Sequence, residues 1–209
     1  MKLKIDDNDA MDFTPPGQIS AADFVHHLRS ERLIKGDVVV MELDTGHEII
    51  DPSGVDTADL ILPWDEIAAL TVRTARFADV LYDSIEDGRK TCVLVSTESR
   101  KTADILRDGK IADGADSLKD LMENIGVLVN YSAALVDHLK DHAAGFSDDD
   151  YTRLRNRLQE TLEEMLGFQE TSDWIMLSDL LEYELGEIFE ELERILGRAA
   201  DLLRNGKTS

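Results

Sequence analysis

The sequence predicts an α+β chain, mostly α, with a small N-terminal α/β part that carries a β-hairpin. An antiparallel bundle of three long helices follows, or four if a helix over 63–86 joins it. Three observations lead there. A β-branched run and a second short apolar run flank a glycine turn at 38–50. From Asp116 onward apolar residues recur at spacings of three and four with hardly a break. The loops between those helical stretches are only a few residues long, so neighbouring helices must run antiparallel.

Residues 1–18 read as an arm, because Asp6-Asp7-Asn8-Asp9 and Thr14-Pro15-Pro16-Gly17 are acidic and then turn-forming. Residues 19–110 form the small α/β part. Ser20 is placed to cap a helix, with Asp23 three residues on to reach back to the cap, and Phe24, Val25, Leu28 and Leu33 supply an apolar stripe ending near Lys35-Gly36. The hairpin, 37–51, pairs Val38–Leu43 with His47–Ile50 across Asp44-Thr45-Gly46, where glycine supplies positive φ. Pro63 opens a helix with Ile67, Leu70, Phe77 and Leu81 on one face, ending at Asp87-Gly88. Cys92–Val95 has the letters of a third strand, although a buried helical turn would give the same ones. Ser99–Leu106 reads as a short helix, and Asp108-Gly109 with Asp113-Gly114 as a boundary.

The bundle is expected over 113–205. Leu118, Leu121, Ile125, Leu128, Ser132, Leu135, Leu139 and His142 make the seam of a helix about 40 Å long at 1.5 Å per residue. Ser147 caps the second helix, with Asp148, Asp149 and Asp150 in the first turn, where the helix dipole favours negative charge. Tyr151, Leu154, Leu158, Leu162 and Met165 form its face. The third runs from Trp174 through Leu177, Leu181, Leu185, Ile188, Leu192, Ile195 and Ala199 to Leu202. The middle helix is shorter than its neighbours, so something else has to cover their ends.

Composition narrows the function classes. A net charge of −22 repels phosphate backbones and anionic lipid, and no basic patch offsets it, so nucleic acid is not an expected partner. No apolar run approaches the roughly 20 residues of a membrane span. The start has no apolar stretch behind its lysines, and Cys92 is the only cysteine, which together lead us to expect a cytoplasmic protein. Cys92 itself reads as a small core residue. The acidity suits either solvation in salt or steering toward a basic partner.

Candidate chemistry is sparse. His138 and His142, four apart on one helix, are the expected metal ligands if there are any, with Glu182, Glu184, Glu187, Glu190 and Glu191 of the last helix to complete the shell. The alternative is that His142 closes the seam near a helix C-terminus while His138 is solvated. Asp44-Thr45-Gly46 resembles the active-site triplet of aspartic proteases, but it stands alone and is explained as a hairpin turn. His26-His27 has no nucleophile or glycine loop to join. Nucleotide loops, nucleophile elbows and zincin motifs are absent from the sequence. The expectation is therefore a non-enzymatic interaction or regulatory adaptor, needing no cofactor. It would bind a protein partner or a second copy through Leu181, Leu185, Ile188, Leu192 and Ile195, its acidic surface setting partner choice. A chaperone of secreted or flagellar subunits is one version of it, and a metal-dependent enzyme using His138 and His142 is the alternative from another class.

Overall fold

A computed structural model describes residues 1–54, 56–57 and 59–206. The chain divides into two compact units, Met1–Val80 and Leu81–Ser209.

The first unit is a five-stranded mixed sheet with one helix. Strands β1 (Lys2–Ile5), β2 (Met11–Asp12), β3 (Val38–Asp44), β4 (Ile49–Ile50) and β5 (Ala69–Arg76) lie in the order β2-β1-β5-β3-β4. β1 and β5 are parallel, and the other neighbours are antiparallel. The residues expected to be an arm therefore begin with a strand. Lys2-Leu3-Lys4-Ile5 alternates, Leu3 and Ile5 are buried, and the Asp6 carboxylate ties the strand's exit to β5 by accepting from the backbone N–H and the hydroxyl of Thr74, each at 2.7 Å.

Helix α1 (Ala21–Ser30) forms as its sequence directs. The Ser20 hydroxyl accepts from the N–H of Asp23 and donates to its carboxylate, and the apolar stripe sends Phe24 and Leu28 into the core. There Phe24 packs on Trp64 with ring centroids 4.5 Å apart, among Leu3, Val40, Leu43 and Val72. The hairpin also forms: Leu43 pairs with Ile50 and Asp44 with Ile49, with Gly46 at a φ of 81° in the turn. Both edge strands are two residues long. Where β3 runs on beyond β4, a bulge at Met41 breaks its register with β5 and the guanidinium of Arg29 donates to the Val38 carbonyl at 2.8 Å.

The largest correction concerns 63–107. The helix expected over 63–86 starts instead at Phe77, because Leu70, Val72 and Thr74 alternate and build β5, the strand between β1 and β3. From Phe77 one helix, α2, runs unbroken to Arg107. It absorbs the expected helix end at Asp87-Gly88, the expected strand Cys92–Val95 and the expected short helix Ser99–Leu106. Gly88 does not end the helix. It is buried where α2 meets two other helices, and a Cβ there would lie 3.2 to 3.4 Å from Leu196, Tyr131 and Leu135.

In the second unit α2 is followed by α3 (Ile111–His142), α4 (Asp149–Glu170), α5 (Trp174–Asp179), a π-helical turn (Leu180–Leu185) and α6 (Gly186–Gly206). Cross-helix bonds give the directions. Thr102 meets Ser117, Glu98 meets Asn124 and the Ser84 carbonyl meets Tyr131, so α2 and α3 are antiparallel. Arg157 with Glu187 and Asp150 with Arg198 make α4 and α6 antiparallel in the same way. The bundle thus has four long helices, with α2 bonded to both α3 and the last segment, and α2 supplies the cover that the short α4 leaves wanting.

Candidate interaction site in the helical bundle

The last helical segment carries every residue expected to bind a partner, and its local structure departs from the expected single α-helix. Asp173 accepts from the N–H of Met176 and caps α5. Six residues later the chain widens into the π turn before α6 resumes at Gly186. A π turn bonds i to i+5 and leaves a carbonyl short of its usual donor, and such turns recur at functional sites. Helix α2 bonds to the turn and to the start of α6 from inside the bundle. The Ser99 hydroxyl, fully buried, donates to the Leu181 carbonyl at 2.5 Å, and the Ser96 hydroxyl donates to the Gly186 carbonyl at 3.4 Å. Outside, Arg107 donates to the carboxylates of Asp179 and Glu182, and Arg100 to Glu190. The hydrogen bond to Glu182 is the main reason the Arg107 guanidinium is pushed further above its already high range.

The five expected contact residues are internal. Leu181, Leu185, Ile188, Leu192 and Ile195 are each 3% exposed or less, packed in the bundle that α2 and α4 complete. A partner does not meet that seam on the folded surface. The sequence hid this because α2 was legible only in fragments, so the last helix looked uncovered.

One group of exposed apolar residues lies away from that seam, and others, among them Val93, Leu94 and Val127, are exposed on α2 and α3. In the first group, Ile175 is 70% exposed, Leu166 and Tyr183 60% each, and Met176 44%. They lie on the end of α4, on α5 and in the π turn, and the Arg107 bonds put the α2–α3 turn at the same end of the bundle. Exposed acids accompany them: Glu163, Glu164, Glu170, Asp173 and Glu184. Apolar side chains set among carboxylates combine a desolvation surface with a field for cations.

The histidines are placed apart from the acids meant to join them. α3 and α6 run the same way, so His138 and His142, near the Lys140–Asp148 pair, lie level with Arg198 rather than with Glu182 to Glu191. Four of those glutamates are engaged by arginines: Glu182 by Arg107, Glu190 by Arg100, Glu187 and Glu191 by Arg157. Among the described residues no group of three or more His, Cys, Asp or Glu is arranged to hold a metal ion.

A groove of about 330 Å³ runs between α2 and α6, lined by Cys92, Ser96, Arg100, Phe189, Glu190 and Arg194 among others. Burial pushes the Cys92 thiol up to about 12, which keeps it protonated and unreactive at neutral pH. Next to the groove Arg89 bridges Glu193 at 2.5 Å and Glu86 at 2.9 Å, pairing α2 with α6 rather than offering a free cation. In the N-terminal unit, His26 and Arg29 line a smaller groove with Val39 and Ser53, and His27 packs edge-on to Phe13. Asp44 of the protease-like triplet accepts from the Gly46 N–H at 2.8 Å, the bond that closes the hairpin turn. No described helix is long and apolar enough to cross a membrane.

Comparison with known proteins gives one match. A family model described as a domain of unknown function (DUF8042) covers residues 83–195, wholly within the helical unit. No curated protein and no solved structure matches the chain.

Proposed function

We propose that in this chain, which belongs to the DUF8042 family through a match that falls in the bundle, the bundle is a non-enzymatic protein-interaction module acting as an adaptor. Its contact surface in this reading is the exposed apolar group Leu166, Ile175, Met176 and Tyr183 at the α4–α5 end, and the exposed carboxylates around it select the partner. The carrying observation is the exposure of Ile175 and Met176 on a helix whose other face is packed. Large apolar side chains left in water together at one end of a bundle are what a docking partner desolvates. The partner this chemistry favours is a segment with apolar residues and a net positive charge. A second copy fits worse, since each copy brings −22 and the same acids to the contact.

The test is affinity purification of the tagged full chain from its host at low salt, read by mass spectrometry against an untagged control. The expected result is a recurring protein with a basic segment, lost when Ile175 and Met176 are both changed to Glu and weakened by 0.5 M salt. Both positions are exposed, so the double variant should keep the wild-type unfolding midpoint. A partner that binds the double variant as well as the wild type, or no partner above the control, would refute the reading.

A further inference from the structure

The geometry points to a built-in hinge at the π turn, Leu180–Leu185, latched by Ser99 of α2, about which the six residues of α5 open from the bundle while α6 stays packed. This inference stands apart from any partner-binding reading, since it concerns how the last helix is held.

The seam shows why the turn is there. From Leu177 one line of buried residues, Leu177, Leu181, Leu185, Phe189, Leu192, Leu196, Ala199 and Leu203, follows at spacings of 4, 4, 4, 3, 4, 3 and 4, with Leu180, Ile188, Ile195 and Ala200 buried beside it. Alternation of four and three keeps an α-helix facing one partner line. The series would alternate throughout if the spacing from Leu181 to Leu185 were three. One residue too many therefore lies between them, and the π turn spans that interval. Widening one turn takes up the extra residue and leaves both halves of the seam facing inward.

That solution concentrates weakness at one place. The turn is tied to α2 by the buried Ser99 hydroxyl, which donates to the Leu181 carbonyl. Losing a buried hydrogen bond costs stability where it was made, so removing the hydroxyl loosens this turn before any other. On the N-terminal side the hinge carries little. α5 buries only Leu177 and Ser178 of its six residues, whereas α6 is buried along its length through Ile188, Phe189, Leu192, Ile195, Leu196 and Leu203. The other end of α5 follows the three-residue turn 171–173, whose N–H groups bond back to the Gly167, Phe168 and Gln169 carbonyls of α4 and in which Ser172 adopts a φ of 59°. A six-residue segment that buries two side chains, between that turn and the π turn, is a unit able to open by itself.

Hydrogen exchange of the full-length protein, resolved by segment, tests this. In the wild type, amides of 174–186 should exchange at least tenfold faster than those of 187–203. Ser99→Ala should speed the first segment at least tenfold more and leave the second within twofold. Deleting the exposed Glu184 removes the extra residue, so the protein should fold with an unchanged or higher unfolding midpoint. The protection of 174–186 should then rise to that of 187–203, and Ser99→Ala in that background should have little further effect. Equal protection of the two segments in the wild type, a Ser99→Ala effect spread evenly over the bundle, or loss of folding on deleting Glu184 would each overturn the hinge.

Discussion

Gly88 gives a sharp test of how α2 is packed. A methyl at that position makes close but ordinary-to-tight contacts, 3.2 Å to Leu196 Cδ1, 3.3 Å to Tyr131 Cε1 and 3.4 Å to Leu135 Cδ1. The two leucine methyls are side-chain ends that can yield by a few tenths of an ångström, while the Tyr131 ring is held by its hydroxyl on the Ser84 carbonyl. Two effects therefore oppose each other in Gly88→Ala. Replacing a glycine in a helix interior by alanine gains about 1 kcal/mol, and pressing three packed side chains aside costs about the same. The variant should lie within about 1 kcal/mol of the wild type. In Gly88→Leu the propensity gain is similar, but a whole isobutyl group must enter a crossing already filled from α3 and α6. Overpacking on that scale costs about 3 kcal/mol or more, a large part of the roughly 5–15 kcal/mol that holds a domain together. Urea unfolding followed by circular dichroism at 222 nm reads both variants in one experiment, with the slope showing that the unfolded state is unchanged. If Gly88→Leu unfolds within 1 kcal/mol of the wild type, α2 does not cross α3 and α6 at Gly88, and the four-helix packing is wrong there.

Two further outcomes follow from the charged and titratable groups. Cys92, with its thiol pushed up to about 12, should react with a thiol reagent at pH 8 only at the rate of unfolding, and at once in 6 M guanidinium; prompt labelling of the native protein would contradict its burial. Lys140 holds Asp148 below the usual carboxylate range, and Arg198 with Arg153 does the same for Asp150. The folded pKa values are thus depressed, so what these pairs contribute is present above the unfolded pKa of about 3.9 and lost as pH falls through the lower folded values. Urea midpoints should drop below about pH 4, and less steeply in a variant with Asp148→Asn and Asp150→Asn; equal steepness would mean the pairs do not hold in solution.

Much of the fold was legible because local chemistry and tertiary packing agree. Ser20 with Asp23, Asp44-Thr45-Gly46 and the seams of α3 and α4 each state their structure within a short window, and the molecule adopts it. The misreadings share one cause. Between Pro63 and Leu106 the letters serve two periods at once: Leu70 and Phe77 fit a helical spacing of seven, while Leu70, Val72 and Thr74 fit a strand, and which prevails is settled by β1 and β3 on either side. Gly88 carries the local mark of a helix end and is in fact the small residue a helix crossing needs. The contact residues were misplaced for the same reason, since a seam looks free until its cover is recognised. Ser96 and Ser99 gave no signal of their own, because a buried serine's role depends on a carbonyl ninety or eighty-two residues away. The π turn did leave a trace in the doubled four-residue step from Leu177 to Leu185.

The edges of the N-terminal sheet bear on how this chain behaves in a crowded solution. A sheet grows by adding strands where its backbone groups stand open, and fibrils are the unlimited form of that growth. Here both outermost strands stop after two residues, and the longer strand behind one of them is kinked at Met41 and has its Val38 carbonyl occupied by Arg29. An incoming strand finds no straight template more than a few residues long. The fold thus offers aggregation little purchase at the sheet, and concentrated or briefly destabilised protein is directed back to its own pairing rather than to a neighbour's.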